Sequence, residues 1–183
     1  MEGPYETRHT NGKLKVRTFL REGMPDGALN SWFENGGKER ETRFVGGKED
    51  GVRREWHRNG QLAAEGSLVQ GERTGRWRNW REGGSLAAET EFVHDAENGQ
   101  RRTFFVNGIC SSQAEMRAGV QEGDRKFWRD NGSLKSAAQF RAGRRTGWET
   151  EWNSAGQLVA RSCWVEDVAK PIDTAAGATA TCP

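Results

Sequence analysis

The sequence predicts an all-β protein: an elongated, single-layer, twisted antiparallel sheet of about seven tandem β-hairpin repeats, each 24 residues long. Three observations predict it. Gly3, Gly27, Gly51, Gly75, Gly99, Gly123 and Gly147 recur every 24 residues without an insertion. Nine positions after each of them stands a second glycine, preceded by Asn in five repeats (Asn11, Asn35, Asn59, Asn107, Asn131). Between the two lies one aromatic slot: Trp32, Trp56, Trp80, Phe104, Trp128 and Trp152, with Arg8 in the first repeat. Such self-similarity at a fixed period marks a stacked array. It covers residues 3–170, with repeats starting at 3, 27, 51, 75, 99, 123 and 147, and leaves 171–183 as a C-terminal tail expected to be loosely attached.

Each element follows from the spacing. The first glycine is position 1, the aromatic slot position 6, Asn-Gly positions 9 and 10. Asn-Gly between alternating residues is the strongest short-range hairpin signal. A two-residue turn would set position 6 against position 13. A three-residue turn over positions 8–10 sets it against position 12, which pairs Trp56 with Leu62 and Trp80 with Leu86. The second turn is preferred, since both partners are then apolar and Gly takes the left-handed position. Alternation then puts positions 6, 12, 14, 16 and 18 on one buried face, with small residues such as Ala64 and Gly66 leaving room for a neighbouring indole. A longer loop, roughly positions 19–25 as in Val69 to Gly75, should join one repeat to the next. Seven hairpins give about 14 strands, on the order of 65 Å of sheet. Arg8 suits an N-terminal cap; Trp164 and Asp167 to Lys170 suit a C-terminal one.

Composition narrows the function. Apolar residues make up 33% of the 183, yet eight Trp and eight Phe are far too many for a disordered chain. Twenty-eight basic against 26 acidic residues leave a net charge of +2, which makes a nucleic-acid partner unlikely. Cys110, Cys163 and Cys182 match no zinc spacing, and no stretch has signal-peptide or membrane-spanning length. The expectation is a cytoplasmic protein with free thiols, no metal and no cofactor.

The unit G-x-x-x-x-W-x-x-N-G-x-L-x-x-E-x-x-F-x-x-G, clearest in Gly51 to Thr74, resembles the MORN repeat, in the bacterial variant found in antitoxin-like proteins. The resemblance extends over about residues 3–170. It implies a hairpin array with a concave aromatic face and a binding role: protein scaffolding, lipid association or antitoxin activity. It implies no catalytic residue, and an enzyme is not expected.

Candidate chemistry is sparse. His9, His57 and His94 are expected as surface side chains, and Cys110, in the Leu slot, as an apolar thiol. Cys163 falls on the expected wet face, where it is open to reaction. Basic residues cluster at positions 2–4: Arg53 and Arg54, Arg76 and Arg78, Arg101 and Arg102, Arg125 and Lys126. At position 4, Arg54, Arg78, Arg102 and Lys126 form a ladder on the face of Trp56, Trp80 and Trp128. These seven residues are the expected partner-binding set. The expected partner is another protein, a toxin-like or effector protein encoded nearby that the array masks or scaffolds. The alternative is a peripheral membrane scaffold that holds anionic lipid through the ladder. The plain competing account is cross-strand pairing of the ladder with Glu65, Glu89 and their equivalents.

Overall fold

A computed structural model describes residues 2–170 and Cys182; apart from that cysteine, the expected tail lies outside the described residues. Two compact units divide the chain at Asp95 and Ala96. The first holds β1 (Gly3–Arg8), β2 (Leu14–Arg21), β3 (Met24–Pro25), β4 (Gly27–Trp32), β5 (Lys38–Val45), β6 (Lys48–Glu49), β7 (Gly51–Trp56), β8 (Leu62–Val69), β9 (Glu72–Trp80) and β10 (Leu86–Val93). The second holds β11 (Ala96–Phe104), β12 (Cys110–Arg117), β13 (Val120–Trp128), β14 (Leu134–Arg141), β15 (Arg144–Trp152), β16 (Leu158–Val165) and β17 (Val168–Lys170). Within each unit successive strands pair antiparallel as a meander. The described residues contain no helix. The strands exceed the expected 14 because Asp26 and Asp50 each split one strand and β17 follows the last turn.

The first turn is the expected one. His57 N–H donates to Gln61 O at 2.8 Å, and Gly60 N–H to His57 O at 2.9 Å. Gly60 has φ 84° while Asn59 does not enter the left-handed region. This is a type I turn closed by a glycine bulge over positions 8–10. Every hairpin accordingly sets position 6 against 12: Trp56 opposite Leu62, Trp80 opposite Leu86, Trp128 opposite Leu134.

The second turn differs from expectation. It is tight, not long: Val69 pairs with Glu72, so the loop is Gln70-Gly71 alone, with φ values of 53° and 91°. Two successive positive φ values define a type I′ turn, whose twist matches that of the strands it joins. The same geometry recurs at Ala118-Gly119 and Ala142-Gly143. The expected loop was too long because position 1 is not a turn residue. Gly75, φ 66°, lies inside β9, where Glu65 pairs with Arg78 but Ser67 with Thr74. The glycine lets β9 bulge past β8.

The face assignment also needs correcting. Trp56 pairs with Leu62, but Glu55 pairs with Ala64, so Ala63 is one extra residue. The same shift follows position 5 in the other hairpins, as at Ser31/Trp32 and Phe127/Trp128. One extra residue reverses the alternation beyond it. Positions 14, 16 and 18 therefore stand opposite 5, 3 and 1, on the face away from positions 4, 6 and 12. The apolar groups are shared between two stripes: Trp and Leu of positions 6 and 12 on one face, and positions 3, 16 and 18 on the other.

The second stripe is the better buried. Leu68, Trp77 and Phe92 form its centre in the first unit, while Ala114 and Met116 are buried in the second. Trp77 lies on Gly66 so closely that a Cβ there would sit 2.1 Å from the indole. The room left by a small residue is thus filled by a neighbouring indole as expected, and that indole stands at position 3, outside the aromatic slot of position 6. Trp77 Nε1 donates to Ser67 O at 3.1 Å, and the ring meets Phe92 edge-on at 6.5 Å. An indole buried this way is worth roughly 3–5 kcal/mol on truncation.

Candidate functional site

Each of the four position-4 side chains is engaged by a neighbour within its own unit. Strand alternation puts position 4 on the face of position 6. Arg54 Nε meets Glu65 at 2.7 Å directly across the hairpin, and Arg78 Nε meets Glu89 at 3.0 Å. Lys126 is 3.7 Å from Asp124, and Arg102 donates to Gln100. The first two are cross-strand pairs and the last two lie along one strand; all are accessible, and each is worth little to stability. Position 3 is on the opposite face, so Arg53, Arg101 and Arg125 do not extend the ladder. Burial, and then the nearby Arg101, lower the pKa of Arg125 from its ordinary value. Its guanidinium lies 4.6 Å from the Phe127 ring. Of the three tryptophans, Trp56 has the Lys38 ammonium 4.9 Å from its ring.

Side chains in the first turn stitch repeat to repeat. Asn59 Nδ2 donates to Glu82 O at 2.7 Å, while its Oδ1 accepts from Gln61 N–H at 3.0 Å. Asn11, Asn35 and Asn107 repeat both bonds. Position 7 adds a second stitch to the carbonyl of position 6 in the next repeat: His9 Nε2 to Trp32 O at 2.7 Å, His57 Nε2 to Trp80 O at 2.8 Å, and Arg129 to Trp152 O. A carbonyl only accepts, so each Nε2 carries the proton. These two histidines are half-buried struts, not the free surface groups the sequence suggested. His94 alone is exposed, with Nδ1 2.8 Å from Glu72.

Two position-7 residues have no such donor: Phe33 and Phe105, three repeats apart. A groove opens beside each. The first, about 500 Å³, is lined by Ser31, Phe33, Glu39, Arg40, Glu55 and Trp56, with Val16 and Ala63. The second, about 630 Å³, is lined by Thr103, Phe105, Phe127, Trp128, Lys135 and Glu151, with three serines. Seven of the lining positions recur three repeats later, and the hydroxyl, the Phe and the Trp recur in kind. Ser31 Oγ donates to Glu39 at 3.0 Å; Thr103 Oγ1 bonds Ser111 and Ser112 at 2.8 and 2.6 Å. Trp56 and Trp128 of the expected set thus line grooves, whereas Trp80 does not. Sequence reasoning missed Phe33 and Phe105, although both are visible as the two phenylalanines at position 7.

The thiols also need correcting. Cys163, expected exposed and free, is 3% exposed and disulfide-bonded to Cys182, with Cα atoms 5.6 Å apart. Among the described residues only Cys110 is free. Burial raises its pKa, against smaller opposing effects of Arg102 and of the Ser112 backbone. No cluster of three metal-ligating side chains occurs among the described residues.

The family model for the MORN repeat variant matches residues 49–70, the end of the second repeat and most of the third. That segment matches a MORN repeat variant, consistent with a MORN-repeat array. The matched segment carries Asn59 and the whole of the first turn, and it ends at Gln70, the first residue of the second turn. No curated protein matches the chain. A solved structure of the S. aureus TarM G117R mutant, in complex with fondaparinux, alpha-GlcNAc-glycerol and UDP, aligns at 8% identity with a TM-score of 0.29. The alignment covers 79% of this chain and 21% of that one, and at that score it carries no argument.

Proposed function

We propose that this MORN-type array is a non-catalytic binding module that holds another protein against the face of positions 4 and 6. The supporting observation is a row of exposed aliphatic residues. Val45, Val69 and Val93, at the same place in successive repeats, are 41%, 54% and 46% exposed, and Val52 joins them at 45%. Apolar side chains in register on one face, beside the paired Arg54, Arg76 and Arg78, are what a protein interface offers: an apolar centre with a charged rim. The finer reading is an antitoxin- or inhibitor-type protein whose partner is encoded nearby. The pairing of the ladder weakens its pull on anionic lipid and favours protein over membrane.

The test is co-purification from native cells of the wild type and of a Val69→Glu/Val93→Glu variant, with sedimentation on phosphatidylserine-rich vesicles alongside. One stoichiometric protein that the variant loses supports the reading. Equal recovery by both, or vesicle binding alone, overturns it. The compartment is tested in the same material. A disulfide persists where the surroundings oxidise thiols. The cytoplasmic proposal therefore requires Cys163 and Cys182 to be reduced in freshly drawn protein, and a cross-linked pair refutes it.

A further inference from the structure

We propose that the two grooves at Phe33 and Phe105 are a pair of related carbohydrate sites, each taking a neutral sugar ring. The first support is what the repeat gives up. His9, His57 and Arg129 at position 7 each bond the next repeat, and a phenylalanine cannot. At Phe33 and Phe105 the local rule is broken, and both breaks open a groove of ligand size. Departures from a repeat's own stabilising pattern concentrate at functional positions.

The second support is the lining. Each groove combines flat apolar rings (Phe33 and Trp56; Phe105, Phe127 and Trp128) with hydroxyls and a carboxylate. A pyranose presents both complements: C–H faces for the rings and a rim of hydroxyls that donate to Glu39 or Glu151 and accept from serine and threonine. Charge argues against ionic ligands. Glu55 is held by Arg53 and Arg40 lies 3.7 Å from Glu49, so the first groove offers no uncompensated positive site. The second has one cation and one carboxylate in its lining, Lys135 and Glu151. An extended peptide is less suited, because strand backbones under the grooves already pair with their neighbours, as Ser31 with Arg40 and Phe127 with Ser136. The rims differ: Glu39, Arg40 and Glu55 in the first become Ser111, Ser112 and Phe127 in the second. The two sites thus share a ring platform and select different substituents.

The experiment uses the full chain and a panel of neutral oligosaccharides of glucose, galactose, mannose and N-acetylhexosamine, read by saturation-transfer NMR and calorimetry. The expected result is at least one sugar bound at about 1 mM or tighter. Phe33→His and Phe105→His should each remove one site and halve the bound sugar, and the double variant should lose it. Each histidine regains the position-7 stitch, so the melting temperature should not fall, which separates lost binding from lost folding. Phe33→Trp should keep binding. No sugar bound at about 10 mM, or binding intact in the double variant, overturns the proposal. Val45, Val69 and Val93 of the proposed protein-binding face line neither groove, so failure here leaves that proposal to its own test.

Discussion

Gly66→Ala is the sharpest test of the packing. Gly66 does not have a left-handed φ, so alanine meets no backbone penalty, and in a strand it should gain about 0.5–1 kcal/mol over glycine. The structure demands the opposite sign. The new Cβ would stand 2.1 Å from Trp77 Cδ2 and 2.2 Å from Cε2, well inside any allowed contact, and the atoms it meets belong to a rigid indole. The ring must leave. With it go the bond to Ser67 O, the edge contact with Phe92 and the burial of a side chain only 9% exposed. Truncating such a residue costs roughly 3–5 kcal/mol. A displaced ring keeps some contacts and the strand preference offsets a little, so the net loss should be about 2–4 kcal/mol. That lowers the melting temperature by about 4–16 °C in a chain of this size. Thermal unfolding followed by circular dichroism measures it. Thr18 and Leu29 occupy the same two positions two repeats earlier, both buried. Gly66→Thr combined with Trp77→Leu should therefore cost less than the two single changes together, a coupling read from the double-mutant cycle. If Gly66→Ala melted within a degree or so of the wild type, or the two changes simply added, the pairing of a bare backbone with an indole would be wrong.

Asn59→Ala should lower stability by about 1–3 kcal/mol, since two hydrogen bonds go. Asn59→Asp keeps the acceptor for Gln61 N–H, loses the donor to Glu82 O and should cost less; urea titration of both separates the two bonds. Reducing the Cys163–Cys182 bond, or replacing Cys182 by Ser, should weaken the second compact unit by up to about 3 kcal/mol, visible as earlier melting under reductant. Cys110 should react with iodoacetamide at pH 8 more slowly than free cysteine, because burial raises its pKa and leaves less thiolate. Asp95, whose carboxylate pKa is lowered chiefly by the Arg73 side chain, binds its proton less readily folded than unfolded. Its contribution is therefore present above the ordinary carboxylate pKa and lost as pH falls through the lowered one. Asp95→Asn should flatten the acid limb of the melting curve.

Much of this fold was legible in the sequence because the repeat is a ruler. The 24-residue phase gave the hairpins, and the apolar match of Trp56 to Leu62 selected the three-residue turn. What was not legible has specific causes. One extra residue at position 13 leaves the period unchanged yet exchanges the faces of everything after it, so parity counting failed at positions 14, 16 and 18. The type I′ turn was hidden because the dipeptide that usually signals it, Asn-Gly, is used here at the other turn, while Gln70, Ala118 and Ala142 take the left-handed position themselves. The Cys163 disulfide joins residues 19 apart, from the last repeat to Cys182 beyond it, and spacing alone says nothing of it. Of the candidate site, Arg54 and Arg78 meet Glu65 and Glu89 across their hairpins, the cross-strand pairing that was the competing expectation.

The asparagines show why reading a repeat for its exceptions is productive. At position 9 the usual account of Asn-Gly is tolerance of positive φ, yet Asn59 has no positive φ. Its amide is retained for what it reaches: one bond inside its own turn and one into the next repeat. A position under that constraint should change only where no neighbour follows or where something else is gained. Ala155, in the last repeat of the array, fits the first case, and Asn153 two residues before it takes over the local bonds to Ala155 and Gln157 N–H, while Gly83 in the fourth repeat fits neither. Phe33 and Phe105 fit the second. They sit at position 7, where other repeats spend a polar side chain on the same inter-repeat bonding, and each surrenders a hydrogen bond of about 1 kcal/mol. Packing alone does not call for this, since His9 and His57 hold the equivalent place half-buried and bonded. That both departures fall three repeats apart, each beside a groove with the same hydroxyl, ring and indole, is why those grooves are the place to look for a small ligand.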